Sequence, residues 1–253
     1  SGPRSNTTNT GSSMAITNLN TTQYYRARVQ NGNCPADFST VHKVTVSSPS
    51  QSGIISGVSS LCEGNNGFQL SLSNTTGSVL SWESSTDNGI TWTSISNTSN
   101  QLDVSNLSTS THYRSIVENG VCPSDTSSAK FVSVNPLPAV SFSLSDGCED
   151  TDVSFQNTTP NSGLQVWDFG NGNGGTTSTA VSAYPNPGTF SVKLTVTTTA
   201  GCVDSLSQPI TIHPKPTVDF SFPATTCFGN DVQFTNASTI VSGSITSYLW
   251  DLD

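Results

Sequence analysis

Apolar residues fall at every second position along much of this chain. In "FQLSLS" Phe68, Leu70 and Leu72 share one face, and in "FSVKLTVT" Phe190, Val192, Leu194 and Val196 do the same. A period of two marks a strand with one buried face. No segment carries the 3.6-residue period of an amphipathic helix. The pattern predicts an all-β chain of short strands punctuated by Gly, Asn, Asp and Pro.

The pattern also repeats. Met14–Val46 aligns with Leu102–Val134 without a gap, at an offset of 88 residues and with about 14 identities. Leu19 meets Leu107, Tyr25 meets Tyr113, Cys34 meets Cys122 and Val46 meets Val134. A second repeat type follows. Ala139–Thr159 is similar to Thr217–Ser238, and "VWDFG" at Val166–Gly170 matches "LWDLD" at Leu249–Asp253. These matches predict four stretches: 1–48, the C-terminal part of an Ig-like module; 49–136, a complete Ig-like module; 137–214, a module of the second type; and 215–253, the N-terminal part of another. Half a sandwich cannot bury its sheet faces, so the expectation is a stretch of a much longer array. Joints such as "VNPLPAV" and "IHPKPTV" are short and proline-bearing, hence semi-rigid spacers. The expected architecture is tandem β-sandwich modules forming an elongated rod.

Composition narrows the setting. Charged residues make up 10% of the 253 residues, and serine with threonine about 30%. Hydroxyls and amides keep such a chain in solution where charge usually does. The net charge of -9 leaves no electrostatic footprint for nucleic acid. No apolar run reaches the length of a membrane span. The N-terminal "SGPRSNTTNTGSSM" has neither a basic region nor an apolar core, so the expectation is a removed signal or an internal piece. Six cysteines beside one methionine point to an oxidising, extracellular location.

"WDFGNGNG" followed by "AYPNPGTFSVKLTVTTTAGCVDS" resembles the polycystic kidney disease (PKD) domain, with its Trp-Asp-Phe-Gly turn and Tyr-x-x-Pro-Gly-x-Phe-x-Val run. Asn171 stands where that family usually has aspartate. The preceding module resembles the Ig-like repeats that accompany PKD repeats in giant surface adhesins of gliding Bacteroidota. That resemblance implies a non-catalytic stalk or adhesive segment on the cell surface, exported by type IX secretion. The implied partners are neighbouring modules of the same chain, a surface polysaccharide or other cell-surface ligand, and the secretion machinery during export. Two alternatives stand beside it: a spacer or carbohydrate-binding region of a secreted polysaccharide-degrading enzyme or protease, and a subunit of an extracellular filament.

Within modules of this kind Trp82, Trp167 and Trp250 are expected to fill the space between sheets, and Tyr113 sits at a position like the tyrosine corner. The cysteines admit two schemes. One bridge per module pairs Cys62 with Cys122 and Cys148 with Cys202. In an Ig-type sandwich, however, the turns holding Cys62 and Cys122 lie at opposite poles, roughly 20 Å apart, whereas a disulfide needs Cα atoms within about 7 Å. Adjacent poles of successive modules put Cys62 in reach of Cys202 instead. Cys34, Cys122, Cys148 and Cys227 would then pair outside this stretch. The sulfur–sulfur distances decide between the schemes.

The remaining candidates are local. "STDNGITW" resembles the Asp-box of sialidases, but a sialidase also needs an arginine cluster and a Tyr/Glu nucleophile pair. Arg26, Arg28 and Arg114 lie on repeat-equivalent strands and Arg4 near the N-terminus, so the stretch is expected to be a hairpin turn around Asp87-Asn88-Gly89, with no catalytic residues. Trp92 beside that turn is a candidate for stacking on a sugar or for packing on the hairpin. Asp168, Asn171 and Asn173 place oxygen donors at alternate spacing, a candidate calcium loop, yet no glutamate closes it and a glycine-rich turn explains it equally; no cofactor is favoured. His42, His112 and His213 lack metal-ligand spacing. "Asp204-Ser205-Leu206" looks like the acceptor motif of bacterial O-glycosylation, which makes Ser205 a glycan candidate.

Overall fold

The computed structural model describes residues 10–64 and 66–251, and every regular element among them is a β-strand. Arg4 and the last two residues of the Leu249–Asp253 match lie outside the described residues. Contacts divide the chain into two compact units. One comprises Ser1–Val58, Phe68–Val104 and Thr111–Phe131; the other comprises Ser59–Gly67, Ser105–Ser110 and Val132–Asp253.

In the first unit Gln23–Tyr25 (β1) pairs antiparallel with His42–Val44 (β4), and Arg28–Val29 (β2) with Asp37–Phe38 (β3). These strands are largely exposed. The strands that follow along the chain are Ile54–Ser56 (β5), Ser60–Cys62 (β6), Gly67–Ser73 (β7), Ser78–Ser85 (β8), Thr93–Ile95 (β9), Gln101–Ser105 (β10), Thr111–Glu118 (β11), Asp125–Thr126 (β12) and Lys130–Asn135 (β13); β6 and the greater part of β13 belong to the second unit. One sheet runs β10-β7-β5. In the other, β8 pairs with β9 and β11, and β12 lies along β11. The alternation sets the core: Leu70 and Leu72 of β7 and Leu102 of β10 are buried, as are Trp82 of β8 and Tyr113 and Val117 of β11. Phe68 and Tyr113 meet edge to face at 6.4 Å.

The second unit contains Phe142–Ser143 (β14), Gly147–Cys148 (β15), Asp152–Asn157 (β16), Leu164–Asp168 (β17), Gly174–Gly175 (β18), Thr179–Ala183 (β19), Gly188–Thr197 (β20) and Val203–His213 (β21). They form the sheets β14-β16-β19 and β15-β21-β20-β17-β18. Phe142, Val153, Phe155 and Ala180 from the first sheet meet Trp167, Val192, Leu194, Val196, Ile210 and Ile212 from the second in one core cluster. Pro209 is tolerated inside β21 because it faces only Ser191 on β20, while β15 pairs further along at Ile212 and His213.

Both indoles are sealed in the same way. Trp82 is 0% exposed and Trp167 2%. Each Nε1 donates to a loop carbonyl, Ser99 O and Thr177 O respectively, both at 2.9 Å. A buried indole N–H without a partner would cost about 1–3 kcal/mol. Tyr184 is fully buried too, and its hydroxyl donates to Phe169 O at 2.9 Å. Burial, then the negative charge of Asp168, raises its pKa above the usual tyrosine value.

Trp250 departs from the expected core role, being 52% exposed. Its surroundings nevertheless copy those of Trp167. Phe142 meets Trp167 edge-on at 5.2 Å, and Phe220 meets Trp250 edge-on at 5.6 Å. Phe155 lies 5.9 Å from Trp167, and Phe234 lies 6.0 Å from Trp250. What differs is the cover. The only paired strands among the described residues there are Phe220–Ser221 (β22) and Thr235–Asn236 (β23), with no opposing sheet to exclude water.

Replacing Trp167 by alanine is expected to cost about 3–5 kcal/mol of the second unit's stability, and Tyr184→Phe about 1–2 kcal/mol through the carbonyl it strands. Denaturant midpoints of the two variants, followed by fluorescence or circular dichroism, check both.

Candidate functional site

The chemically distinctive feature of the second unit is a disulfide. Cys62 and Cys202 are bonded, with an S–S distance of 2.06 Å, a Cα–Cα distance of 5.5 Å and a sequence separation of 140. Cys62 ends β6, which runs parallel to β13 with Cys62 opposite Asn135. Two amides hold that strand in place. Asn135 Nδ2 donates to Ser60 Oγ and Leu61 O at 2.7 and 3.2 Å. Asn66 Nδ2 donates to Cys62 O and to Leu107 O, while its Oδ1 accepts from Leu107 N. Cys202 sits in the turn from β20 to β21, its N–H bonded to Thr198 Oγ1, and its sulfur lies 3.8 Å from Asn135 O. Neither Asn66 nor Asn135 stands out in an asparagine-rich sequence.

The alternative scheme of one bridge per module is not formed. Cys34, Cys122, Cys148 and Cys227 are free thiols. Cys122 turns its sulfur toward the carbonyls of Ser48 and Ser47, at 3.3 and 3.6 Å, and Cys148 is exposed at the end of β15. The physical reason lies in β6: its pairing with β13 commits Cys62 to the end of the sandwich where Asn135 and Cys202 lie.

The stretch that resembles an Asp-box is the turn between β8 and β9, with Trp82 opposite Ile95 and Ser84 opposite Thr93. Asn88 and Gly89 take positive φ of 59° and 83°, which Asn and Gly accommodate most readily. Asp87 is the hub. It accepts from Thr91 N at 2.9 and 3.1 Å, from the Thr91 hydroxyl, and from Ser85 Oγ at 2.7 Å; Ser85 Oγ in turn accepts from Gly89 N at 2.8 Å. The Thr91 and Ser85 donors favour the carboxylate and hold the Asp87 pKa down at about 2.

Trp92 folds back over this turn. Its Nε1 donates to Gly89 O at 3.0 Å, and the Arg114 guanidinium lies 3.9 Å above the ring centre. Arg114 also bonds Glu83 at 2.6 Å. One face of the Trp92 ring is therefore spoken for by a cation held in register by an ion pair. The repeat-equivalent Arg26 likewise lies over an aromatic ring, Phe38, at 4.0 Å. Glu83 was not singled out by sequence; its position opposite Arg114 on β11 is a register effect.

One side-chain oxygen each of Asp168 and Asn171, and the backbone carbonyl of Asn173, accept hydrogen bonds within the turn. Asp168 Oδ1 accepts from Gly170 N, Asn171 Oδ1 from Asn173 N, and Asn173 O from Phe169 N. The Asn171 amide donates to Ser182 Oγ and Ala183 O, so this asparagine uses an N–H pair that the family's aspartate lacks. Among the described residues no three His, Cys, Asp or Glu side chains gather to hold a metal. The histidines lie apart: His42 beside Thr40, His112 against Phe131 at 4.6 Å, His213 at the end of β21. Ser205 is exposed on β21 opposite Thr195.

Fold and site together define tandem β-sandwich modules of the Ig-like and PKD type. The chain belongs to the family described as domain of unknown function (DUF8696), which matches residues 4–48 and 51–136; residues 136–214 match the PKD domain. No curated protein matches. Among solved structures, the PKD1 domain of the Vibrio cholerae metalloprotease PrtV shows 34% identity, covering 30% of this chain and 96% of that one, with a TM-score of 0.27. The PKD1 domain of Vibrio anguillarum Epp shows 28% identity, covering 32% and 99%, with a TM-score of 0.29. The fibronectin(III)-like modules of Clostridium thermocellum CbhA show 9% identity over 64% and 95%, with a TM-score of 0.34. The PKD domain and the disulfide fit an extracellular protein. No helix among the described residues is long and apolar enough to cross a membrane.

The Asp87 turn carries a pH signature. Its folded pKa lies below the ordinary 3.8, so its contribution is full above 3.8 and is lost as pH falls toward 2. Titration of the Asp87 carboxyl by NMR is expected to give a midpoint near 2, and Thr91→Ala to move it back toward the ordinary value.

Proposed function

We propose that this chain is a non-catalytic stalk segment of a long secreted repeat protein on the cell surface, serving adhesion, attachment or gliding. The observation that carries the reading is the disulfide. Cys62 lies in the stretch matched to DUF8696 and Cys202 in the stretch matched to the PKD domain. A bond between modules of different families does nothing for catalysis and much for a segment under load. It ties the two stretches together independently of the proline-bearing joint at Pro136 and Pro138. The modules of this reading are 1–48, 49–136, 137–214 and 215–253, with export by type IX secretion. Ser205, exposed on a regular strand, is an O-glycan acceptor in this setting; intact mass of the native protein carrying an unmodified Ser205 peptide would remove that part of the reading.

Cys62→Ser opens a loop of 140 residues in separation and is expected to cost about 2–5 kcal/mol in the chain-entropy account. In single-molecule pulling, the oxidised chain is expected to hide the length between the two cysteines, and reductant to release it. Tight retention of the chain on an insoluble polysaccharide, unaffected by reductant, would favour the carbohydrate-binding accessory reading instead.

A further inference from the structure

The setting of each half of the Cys62–Cys202 bond occurs a second time, around a cysteine that is free. Cys62 ends β6, which is parallel to the end of β13, and the next residue, Glu63, donates its N–H to Asn135 O at 2.8 Å. Cys148 ends β15, which is parallel to the end of β21 with Cys148 opposite His213, and the next residue, Glu149, donates its N–H to His213 O at 2.9 Å. Asn135 and His213 are each followed by Pro-x-Pro. Cys148 thus has, at the end of the PKD-matched stretch, the backbone position that Cys62 has at the end of the stretch before it.

The other half recurs as well. The Cys202 sulfur lies 3.8 Å from Asn135 O, at the last residue of β13. The Cys122 sulfur lies 3.3 Å from Ser48 O and 3.6 Å from Ser47 O. Ser47 and Asn135 are equivalents under the 88-residue offset of the repeat. Both cysteines occupy turns between the last two long strands of their stretches. Cys122 N donates to Asn119 O at 3.1 Å, and Cys202 O accepts from Thr198 N at 2.8 Å. Each thus brings a sulfur against the carbonyl that ends the preceding stretch, the place where Cys62 meets Cys202.

We infer that Cys122 and Cys148 are the open halves of two further latches built to one rule: the first-turn cysteine of a module bonds the last-turn cysteine of the next. The partner of Cys148 is the last-turn cysteine of the module that begins after Pro216. The partner of Cys122 is the first-turn cysteine of the module whose last strand leads into Ser47. Each latch forms by thiol–disulfide exchange: the two thiols give up two protons and two electrons, an S–S bond forms, and an oxidised dithiol oxidoreductase is reduced to its two thiols. Every module except the terminal ones is then tied to both neighbours, and load passes through a continuous covalent ladder. The inference rests on the stalk reading, since it needs adjoining modules.

Two experiments test it. The first appends to Asp253 a copy of residues 171–213, so that the second PKD-like repeat gains a copy of Cys202. Thiol labelling and non-reducing peptide mapping are expected to show Cys148 bonded to the appended cysteine, with Cys62–Cys202 unchanged. Changing the appended cysteine to serine is expected to return Cys148 to the labelled pool. The second maps the disulfides of the protein isolated from its native cell surface, which is independent of how the extended chain folds. Cys122 and Cys148 each bonded to a cysteine one module away is the expected result. A free thiol at either position, a bond within its own module, or a bond to a second copy overturns the ladder. Those outcomes leave the stalk reading standing if further modules are present; a native chain without further modules overturns both.

Discussion

Each sandwich depends on an indole sealed between two sheets. Trp82 and Trp167 are the largest fully buried side chains of their units, and each reconciles two demands. The ring fills the space between sheets that lie about 10 Å apart, and the N–H finds a loop carbonyl instead of water. The loops supplying those carbonyls, at Ser99 and Thr177, are thereby fixed to the core. Residues 217–251 show the same constraint by contrast. Phe220, Phe234 and Trp250 reproduce the ring geometry of Phe142, Phe155 and Trp167, yet they stay about half exposed without an opposing sheet. Aromatic contacts within one sheet set the arrangement, and a second sheet is what turns it into a core.

A chain with so little charge must settle its polar groups by other means. Ser85, Asp87 and Thr91 close one turn among themselves; Asp168, Asn171 and Asn173 close another. Asn66 and Asn135 brace the strand that carries Cys62. In the two turns short side chains reach backbone groups close by in sequence, the geometry at which Ser, Thr, Asn and Asp excel, whereas the two amides also reach carbonyls distant in sequence. Glu83 pairs with Arg114, and the Arg114 guanidinium lies over Trp92. That stack gives the Asp-box-like stretch its meaning in this fold. It is a self-satisfied hairpin with its tryptophan packed over the turn, and the residues that resemble a glycosidase motif serve the local structure.

Strand periodicity, repeat equivalence and turn residues were legible because they follow from neighbours in sequence. The period of two in "FQLSLS" and "FSVKLTVT" put Leu70, Leu72, Val192, Leu194 and Val196 inside without reference to any partner strand. The Asp87-Asn88-Gly89 turn followed from the φ angles that Asn and Gly tolerate. Less legible were the partners of those residues. Glu83 faces Arg114 through the register of β8 on β11, and Asn66 reaches Leu107 across 41 positions. Trp250 keeps the ring neighbours of Trp167 yet is 52% exposed, because sequence equivalence carries a residue's neighbours and not the sheet opposite it.

The sequence by itself determined the all-β character, the two repeat types, Trp82 and Trp167 as core residues and the turn that Asp87 organises. All of these are set by local periodicity and local conformational preference. Only the tertiary structure decided which cysteines bond. Six thiols allow many connectivities, and choosing among them requires knowing which strand ends share a pole. The parallel pairing of β6 with β13 supplies that knowledge: it sets Cys62 opposite Asn135, and the Asn135 carbonyl is where the sulfur of Cys202 arrives.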